Sequence, residues 1–95
     1  MTITIRKATT QDDAELAHIL REPGFFSQLN SETPQSTQAR IARYLQFYDR
    51  DDCHSLYIAV SATGKVVGYG AVHWNYYLFL AGPQGYVLEL FVCAA

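Results

Sequence analysis

One acidic side chain stands out in an apolar setting near the end of the sequence. Glu89 lies in the strand-like run 86–92, which reads YVLELFV. In an extended strand Val87 and Phe91 would share the face of Glu89, so its carboxylate would be partly buried. A carboxylate in such a setting is a candidate general base for an amine. The alternative is a structural acid that accepts hydrogen bonds at an interface.

His73 is a second candidate for proton transfer. It precedes Trp74 and would lie on the strand face opposite to Val72. An imidazole titrates near neutral pH, so His73 could act as a base or relay a proton through water. A hydrogen-bonded structural histidine is the alternative.

The other residue types that bind metals lack the spacing of a metal site. Cys53 and His54 are adjacent and Cys93 is far along the chain, which is not the paired spacing of a zinc site. The acidic segment 49–52, DRDD, lacks the glycine and the terminal glutamate of a calcium loop. We therefore predict no metal site. Two cysteines are too few for a disulfide framework, so both are predicted to be reduced thiols.

The spacing of apolar residues predicts six elements in the order β-α-α-β-β-β. Strands are predicted over 2–6, 55–60, 66–77 and 86–92, and the two helices begin with Thr10 and Thr33 as N-caps. Pro34 suits the first position of the second helix. The fold class is therefore α/β (α+β), with a mainly antiparallel sheet of about four strands and two helices in a single domain, 1–95.

Two of these strands carry expectations about burial. Ile3 and Ile5 alternate with polar residues and are expected on the packed face of the first strand. The last strand, 86–92, is largely apolar on both faces and is expected to be an inner strand. An inner strand needs a partner on each side, so we expect another chain, or a segment beyond these 95 residues, to supply one.

Composition and charge narrow the classes of function. The sequence is 49% apolar and carries a net charge of −2, so it is typical of a folded globular protein. Lys and Arg do not cluster, which argues against nucleic acid and anionic membranes as partners. No apolar run is long enough to span a bilayer, and the first residues lack the order of a secretory signal. A cytoplasmic location is the prediction.

The order and spacing of several short segments resemble the first half of a GNAT-family N-acetyltransferase. The segments are 3–9 (ITIRKAT), 12–14 (DDA), 64–69 (GKVVGY), 73–74 (HW) and 85–92 (GYVLELFV). The resemblance covers nearly the whole chain. It implies transfer of an acetyl group from acetyl-CoA to a primary amine. Small-molecule amines, aminoglycosides, amino acids and protein termini all suit this scaffold as acceptors, and the sequence does not decide between them.

The resemblance also implies where the cofactor would lie. The backbone amides of Leu90, Phe91 and Val92 would meet the acetyl group and the pantetheine of acetyl-CoA. Glu89 and His73, identified above from their residue types and positions, are the candidate bases for this reaction. In the family a loop of the form Arg/Gln-x-x-Gly-x-Gly/Ala follows and holds the pyrophosphate. These 95 residues do not contain it, so we expect them to be inactive alone.

An assembly role is the alternative to catalysis. An unpaired apolar strand drives association, so we expect a homodimer formed through the edge strand 86–92, or a higher assembly. This expectation holds for a catalytic fragment and for a binding module without catalysis.

Aromatic residues cluster in two regions that flank the acceptor groove in the family. Phe25 and Phe26 lie between the predicted helices, and Trp74 and Tyr76 lie at the end of the third strand. By resemblance these residues could line a pocket for the acceptor amine. Packing in the core or against a second subunit is the alternative.

Overall fold

The structure, a computed structural model, describes residues 2–23, 26, 29 and 31–93. Two helices and four strands follow one another among these residues in the predicted order. They are β1 Ile3–Lys7, α1 Asp13–Arg21, α2 Pro34–Arg50, β2 His54–Ser61, β3 Val66–Asn75 and β4 Gln84–Val92. The strands form one antiparallel sheet in the order β1-β2-β3-β4. The predicted α+β class is confirmed.

The chain enters α1 through a 3₁₀ turn at Thr10–Asp12. The Asp12 carboxylate accepts a hydrogen bond from the Thr9 amide at 2.7 Å, and the Thr9 hydroxyl accepts one from the Gln11 amide at 3.3 Å. Arg6 of β1 donates two further hydrogen bonds to Asp12, at 2.9 and 3.0 Å. The cap is therefore Thr9 and not the predicted Thr10, because Asp12 completes a reciprocal capping box with Thr9.

Two other local predictions are confirmed. The Thr33 hydroxyl caps α2 by accepting a hydrogen bond from the Ser36 amide at 3.1 Å, and Pro34 takes the first helical position.

Gly64 adopts a φ of 86° in the turn between β2 and β3. That backbone conformation strains other residues, which explains why a glycine stands in this turn.

Both helices pack on the same face of the sheet, which we call the helix face. One buried cluster joins residues of α1, α2, β2 and β3: Leu16, Ile19, Leu45, Ile58, Val66 and Tyr69. We call the other side of the sheet the open face. In the sheet Ile3 pairs with Ser61 and Ile5 with Ala59. The side chains of both isoleucines lie on the open face and are exposed. The prediction that they are packed is wrong, because they point away from both helices.

Strand β4 forms one edge of the sheet. Among the described residues it pairs with β3 alone. Leu90 and Val92 are 77% and 74% exposed on the open face. No described element lies beyond β4. The partner expected from another chain or a further segment is therefore not among the described residues, and the inner strand stays a prediction.

Candidate active site

Strand β4 carries one extra residue beside Glu89. Ala71 pairs with Glu89 and Val72 with Val87, which leaves Leu88 without a partner in β3. A bulge of this kind reverses the faces of all residues on one side of it. Glu89 therefore shares the helix face with Phe91, as predicted, whereas Val87 lies on the open face, against the prediction from simple alternation.

Glu89 accepts a hydrogen bond from the buried phenol of Tyr69. The distance from the Tyr69 hydroxyl oxygen to Glu89 Oε1 is 3.0 Å, and Tyr69 is 8% exposed. Burial, together with the neighbouring Glu89 carboxylate, raises the pKa of Tyr69 far above its usual range. The phenol therefore stays protonated and orients the carboxylate. Glu89 itself is exposed, unlike the partial burial expected, because β4 lies at the edge of the sheet.

A small cavity of about 180 Å³ opens between the helices and the sheet beside Glu89. Its wall is mostly apolar, with Leu16 and Leu20 from α1 among the lining residues. Tyr48 of α2 also lines it, and burial, followed by the charge of Glu89, raises the pKa of this phenol. The cavity thus places the Glu89 carboxylate and two protonated phenols around a space that fits a small group.

The backbone of β4 presents amides to the open edge of the sheet. The Cys93 amide donates to the Val67 carbonyl oxygen at 2.8 Å, so it points toward β3. Amides alternate in direction along a strand, so those of Leu90 and Val92 point away from β3. An extended ligand along this edge would find two free donors directly after Glu89.

His73 lies in a stack of imidazole rings at the other end of the helix face. Its ring centroid is 4.5 Å from that of His54, with the planes 14° apart. His54 Nδ1 is 2.5 Å from the Asp51 carboxylate, and the His54 ring makes an edge contact with Tyr48. His73 pairs with Tyr86 on β4, on the far side of the bulge from Glu89. Its role as a base stays a prediction.

The predicted acceptor-binding aromatics lie in two places. Trp74 and Tyr76 line an open cleft of about 820 Å³ beside the start of β2. Phe26 lies near the opposite end of β4, with its ring centroid 6.1 Å from that of Phe91. Phe25 lies outside the described residues. The structure therefore brings Trp74 and Tyr76 together and places Phe26 beside the strand end that carries the free amides.

Residues Tyr69 and Tyr48 were not singled out from the sequence. Tyr69 alternates with Ala71 and His73 along β3, which would have placed it on the helix face. Its pairing with Phe91, two residues from Glu89, depends on the register of β3 and β4. Because a bulge sets that register, no local signal in the sequence could have shown the contact.

Two further findings concern the described residues alone. They contain no group of His, Cys, Asp and Glu side chains arranged to hold a metal ion. No helix in that part of the chain is long and apolar enough to cross a membrane.

No protein-family model and no curated protein matches this sequence. Solved structures do match its fold. The chain superposes on a transcriptional regulator from Bacillus halodurans C-125 with a TM-score of 0.76 and 19% identity, covering 98% of this chain and 61% of that one. It superposes on a ribosomal-protein-alanine N-acetyltransferase from Brucella melitensis biovar Abortus 2308 with a TM-score of 0.70 and 17% identity, covering 98% of this chain and 58% of that one. For a GNAT family acetyltransferase from Staphylococcus aureus subsp. aureus USA300_TCH1516 the TM-score is 0.66 and the identity 14%, and the match covers 97% of this chain and 63% of that one.

These matches define the class of fold. The chain has the fold of GNAT acetyltransferases. The matched region corresponds to a half-domain of that fold. It spans about three fifths of the length of the solved structures that it matches. The resemblance stated from the sequence is confirmed at the level of the fold.

Proposed function

We propose that this chain carries the acyl-transfer site of an acetyl-CoA-dependent N-acetyltransferase. The observation that carries the proposal is the arrangement on β4, where Glu89 is held by Tyr69 next to the outward amides of Leu90 and Val92. This reaction needs a carboxylate or other base that can accept a proton from the amine. It also needs adjacent hydrogen-bond donors that can hold an oxyanion.

The proposed reaction is direct attack of an amine on a thioester. Glu89 takes a proton from the acceptor ammonium, and the free amine attacks the thioester carbonyl carbon. The developing oxyanion accepts a hydrogen bond from an outward amide of β4, at Leu90 or Val92. The tetrahedral intermediate expels the CoA thiolate, the second amine proton is lost, and the thiolate takes up a proton. No covalent intermediate with the protein forms.

The cofactor would lie along the open edge of β4. Pantetheine contains amide groups, which can pair with the free backbone amides and carbonyls of residues 90–92 in the manner of an added strand. Pyrophosphate is usually held by backbone amides at a helix N-terminus, and these 95 residues contain no Arg/Gln-x-x-Gly-x-Gly/Ala run for that purpose. We therefore expect weak cofactor binding by this chain alone, and no turnover at ordinary cofactor concentrations.

The proposal includes a cytoplasmic location and a small amine as acceptor. Cys53 and Cys93 are free thiols, which fits a reducing compartment. The small cavity beside Glu89 favours an unbranched primary amine over a bulky one.

Calorimetric titration of the 95-residue chain with acetyl-CoA tests the proposal. We expect saturable one-to-one binding that free CoA weakens by competition. A well-folded chain that binds neither acetyl-CoA nor acetyl-pantetheine at high concentration would overturn it.

A second candidate is an assembly module without catalysis. The exposed, apolar edge strand β4 favours it, because an uncovered edge of this kind pairs readily with a second strand. Such a module would form a homodimer through the edges of β4. The mass of the chain in solution tests for this dimer. A second β4 strand and the cofactor would occupy the same edge of the sheet.

A further inference from the structure

The loop between β3 and β4 carries leucine and phenylalanine at the centre of a turn. The Leu80 amide donates to the Tyr77 carbonyl oxygen at 3.1 Å, which closes a β-turn over residues 77–80. Leu78 is fully exposed at its centre, and Phe79 is 84% exposed. Gly, Pro, Asn, Asp and Ser are the residues that usually occupy turns. Two large apolar side chains here depart from that chemistry, and such departures are expected at functional places.

The turn is ordered and tied to the rest of the fold. We call Tyr76, Tyr77, Leu78 and Phe79 the apolar tip. The ring centroids of Tyr77 and Phe79 are 5.6 Å apart. At the base of the tip, the Tyr76 hydroxyl donates to the Asp52 carbonyl oxygen at 2.9 Å. Because the tip has this fixed shape, its binding to a partner costs little conformational entropy.

Polar and apolar groups are layered along the apolar tip. Leu78 and Phe79 are the central residues of the turn and the most exposed. Tyr76 and Tyr77 lie closer to β3, are about half exposed and carry hydroxyl groups. At a membrane surface, tyrosine lies at the level of the headgroups, whereas leucine and phenylalanine enter the acyl boundary. The order of residues in the tip therefore matches the order of layers in a lipid surface.

Charge around the tip indicates which lipids suit it. Residues 75–85, NYYLFLAGPQG, contain no charged side chain. Tyr76 is bonded to the backbone of the acidic segment 49–52, DRDD. Anionic lipids attract basic segments and repel acidic ones. The charge pattern therefore favours a zwitterionic lipid surface.

The area of the tip favours lipid over a protein partner. A stable protein–protein interface buries about 800 Å² of each partner. Aromatic side chains have about 150–250 Å² each to bury, so at these exposed fractions the apolar tip offers roughly 500 Å². A fluid bilayer needs no partner of complementary shape, and binding to it scales with the apolar area inserted.

We propose that the apolar tip inserts into the surface of a zwitterionic bilayer and attaches the chain to it peripherally. Leu78 and Phe79 enter the acyl boundary, and the two tyrosine hydroxyls stay among the headgroups. The attachment is weak and reversible, because few side chains insert. The tip adjoins the start of β4, whereas Leu90 and Val92 lie near its other end. This inference is therefore independent of the proposed function.

Cosedimentation with phosphatidylcholine vesicles tests the inference. We expect the chain to partition onto the vesicles and L78S/F79S to bind at least about tenfold more weakly, because the two inserted side chains supply the apolar area. The control I3S/I5S removes two exposed apolar side chains from the open face and should keep the binding. Circular dichroism checks the folding of each variant. Unchanged binding in L78S/F79S, or an equal loss in the control, would overturn the inference.

Vesicles of a second composition test the choice of lipid. When a third of the phosphatidylcholine is replaced by phosphatidylserine, we expect equal or weaker binding, and binding to pure phosphatidylcholine should not depend on salt. Binding that requires phosphatidylserine and disappears in salt would overturn the inference in favour of an electrostatic contact. A folded chain that binds neither kind of vesicle would also overturn it and leave the tip as a contact for a protein.

Discussion

At the scale of single residues, the proposed chemistry depends on the Glu89 carboxylate that Tyr69 holds. We expect E89Q to lower the rate of acetyl transfer by about a hundredfold or more, since a general base typically contributes that much. Product is measured by mass spectrometry at high acetyl-CoA concentration. The control E22Q, on the exposed end of α1, should leave the rate unchanged. A rate in E89Q within about threefold of the unaltered chain would exclude Glu89 as the base.

Tyr69 also makes stability depend on alkaline pH. Its pKa in the folded chain is raised, first by burial and then by Glu89. The unfolded chain loses this proton near its usual pKa of about 10, so the stabilisation is present below that pH and is lost as pH rises above it. We expect Y69F to lose less stability than the unaltered chain between pH 9 and about pH 11. Urea unfolding at several pH values in this range measures the free energy of unfolding of both proteins. An equal loss of stability in the two would contradict a raised pKa for Tyr69.

At the scale of elements, the start of α1 is fixed by Asp12. Its side chain is 8% exposed, and the hydrogen bonds from Arg6 lower the pKa of this carboxyl. Its contribution to stability is therefore present above the usual pKa of about 4 and is lost as pH falls through the lower folded value. We expect D12N to cost about 2 kcal/mol at neutral pH, because the charge-assisted hydrogen bonds are weakened.

The control for this prediction is D13N, one residue further into the helix. Asp13 accepts two exposed hydrogen bonds, one from the Ala14 amide and one from the Gln38 side chain of α2. Neither comes from a charged donor, so its change should cost well under half as much. Urea unfolding at pH 7 and at pH 4 compares the variants. Equal costs for D12N and D13N would show that the Arg6 contact does not hold this turn.

Most elements follow from local patterns, whereas the site depends on register. Thr33 and Pro34 mark the start of α2, and the alternation of Leu56 and Ile58 predicts β2 and its buried face. The exposure of Ile5 could not be predicted, because alternation identifies an apolar face and not what covers it. The Tyr69–Glu89 contact depends on the bulge at Leu88, and a one-residue bulge has no local sequence signal in this apolar run.

At the scale of the whole molecule, the open edge of β4 is expected to control assembly. The outward amides of Leu90 and Val92 can pair either with a second β4 strand or with pantetheine. We expect L90K to shift the chain toward monomer, because a lysine on an edge strand opposes pairing. Sedimentation at several concentrations measures this.

The control is L78K, since Leu78 is fully exposed in the loop between β3 and β4 and lies off the strand. It should leave the mass unchanged. Acetyl-CoA should dissociate the dimer if both use the same edge. A dimer unaffected by L90K would place the contact elsewhere on the molecule.

The most direct test of the central claim is an acetyl-CoA titration followed by the backbone amide signals of the chain in nuclear magnetic resonance. The account predicts saturable shifts that are largest at the Leu90 and Val92 amides, with Glu89 and Tyr69 next. Acetyl-pantetheine should produce the same pattern. Saturation with shifts confined to residues away from β4, or no shifts at any concentration in a folded chain, would contradict an acyl-transfer site on this strand.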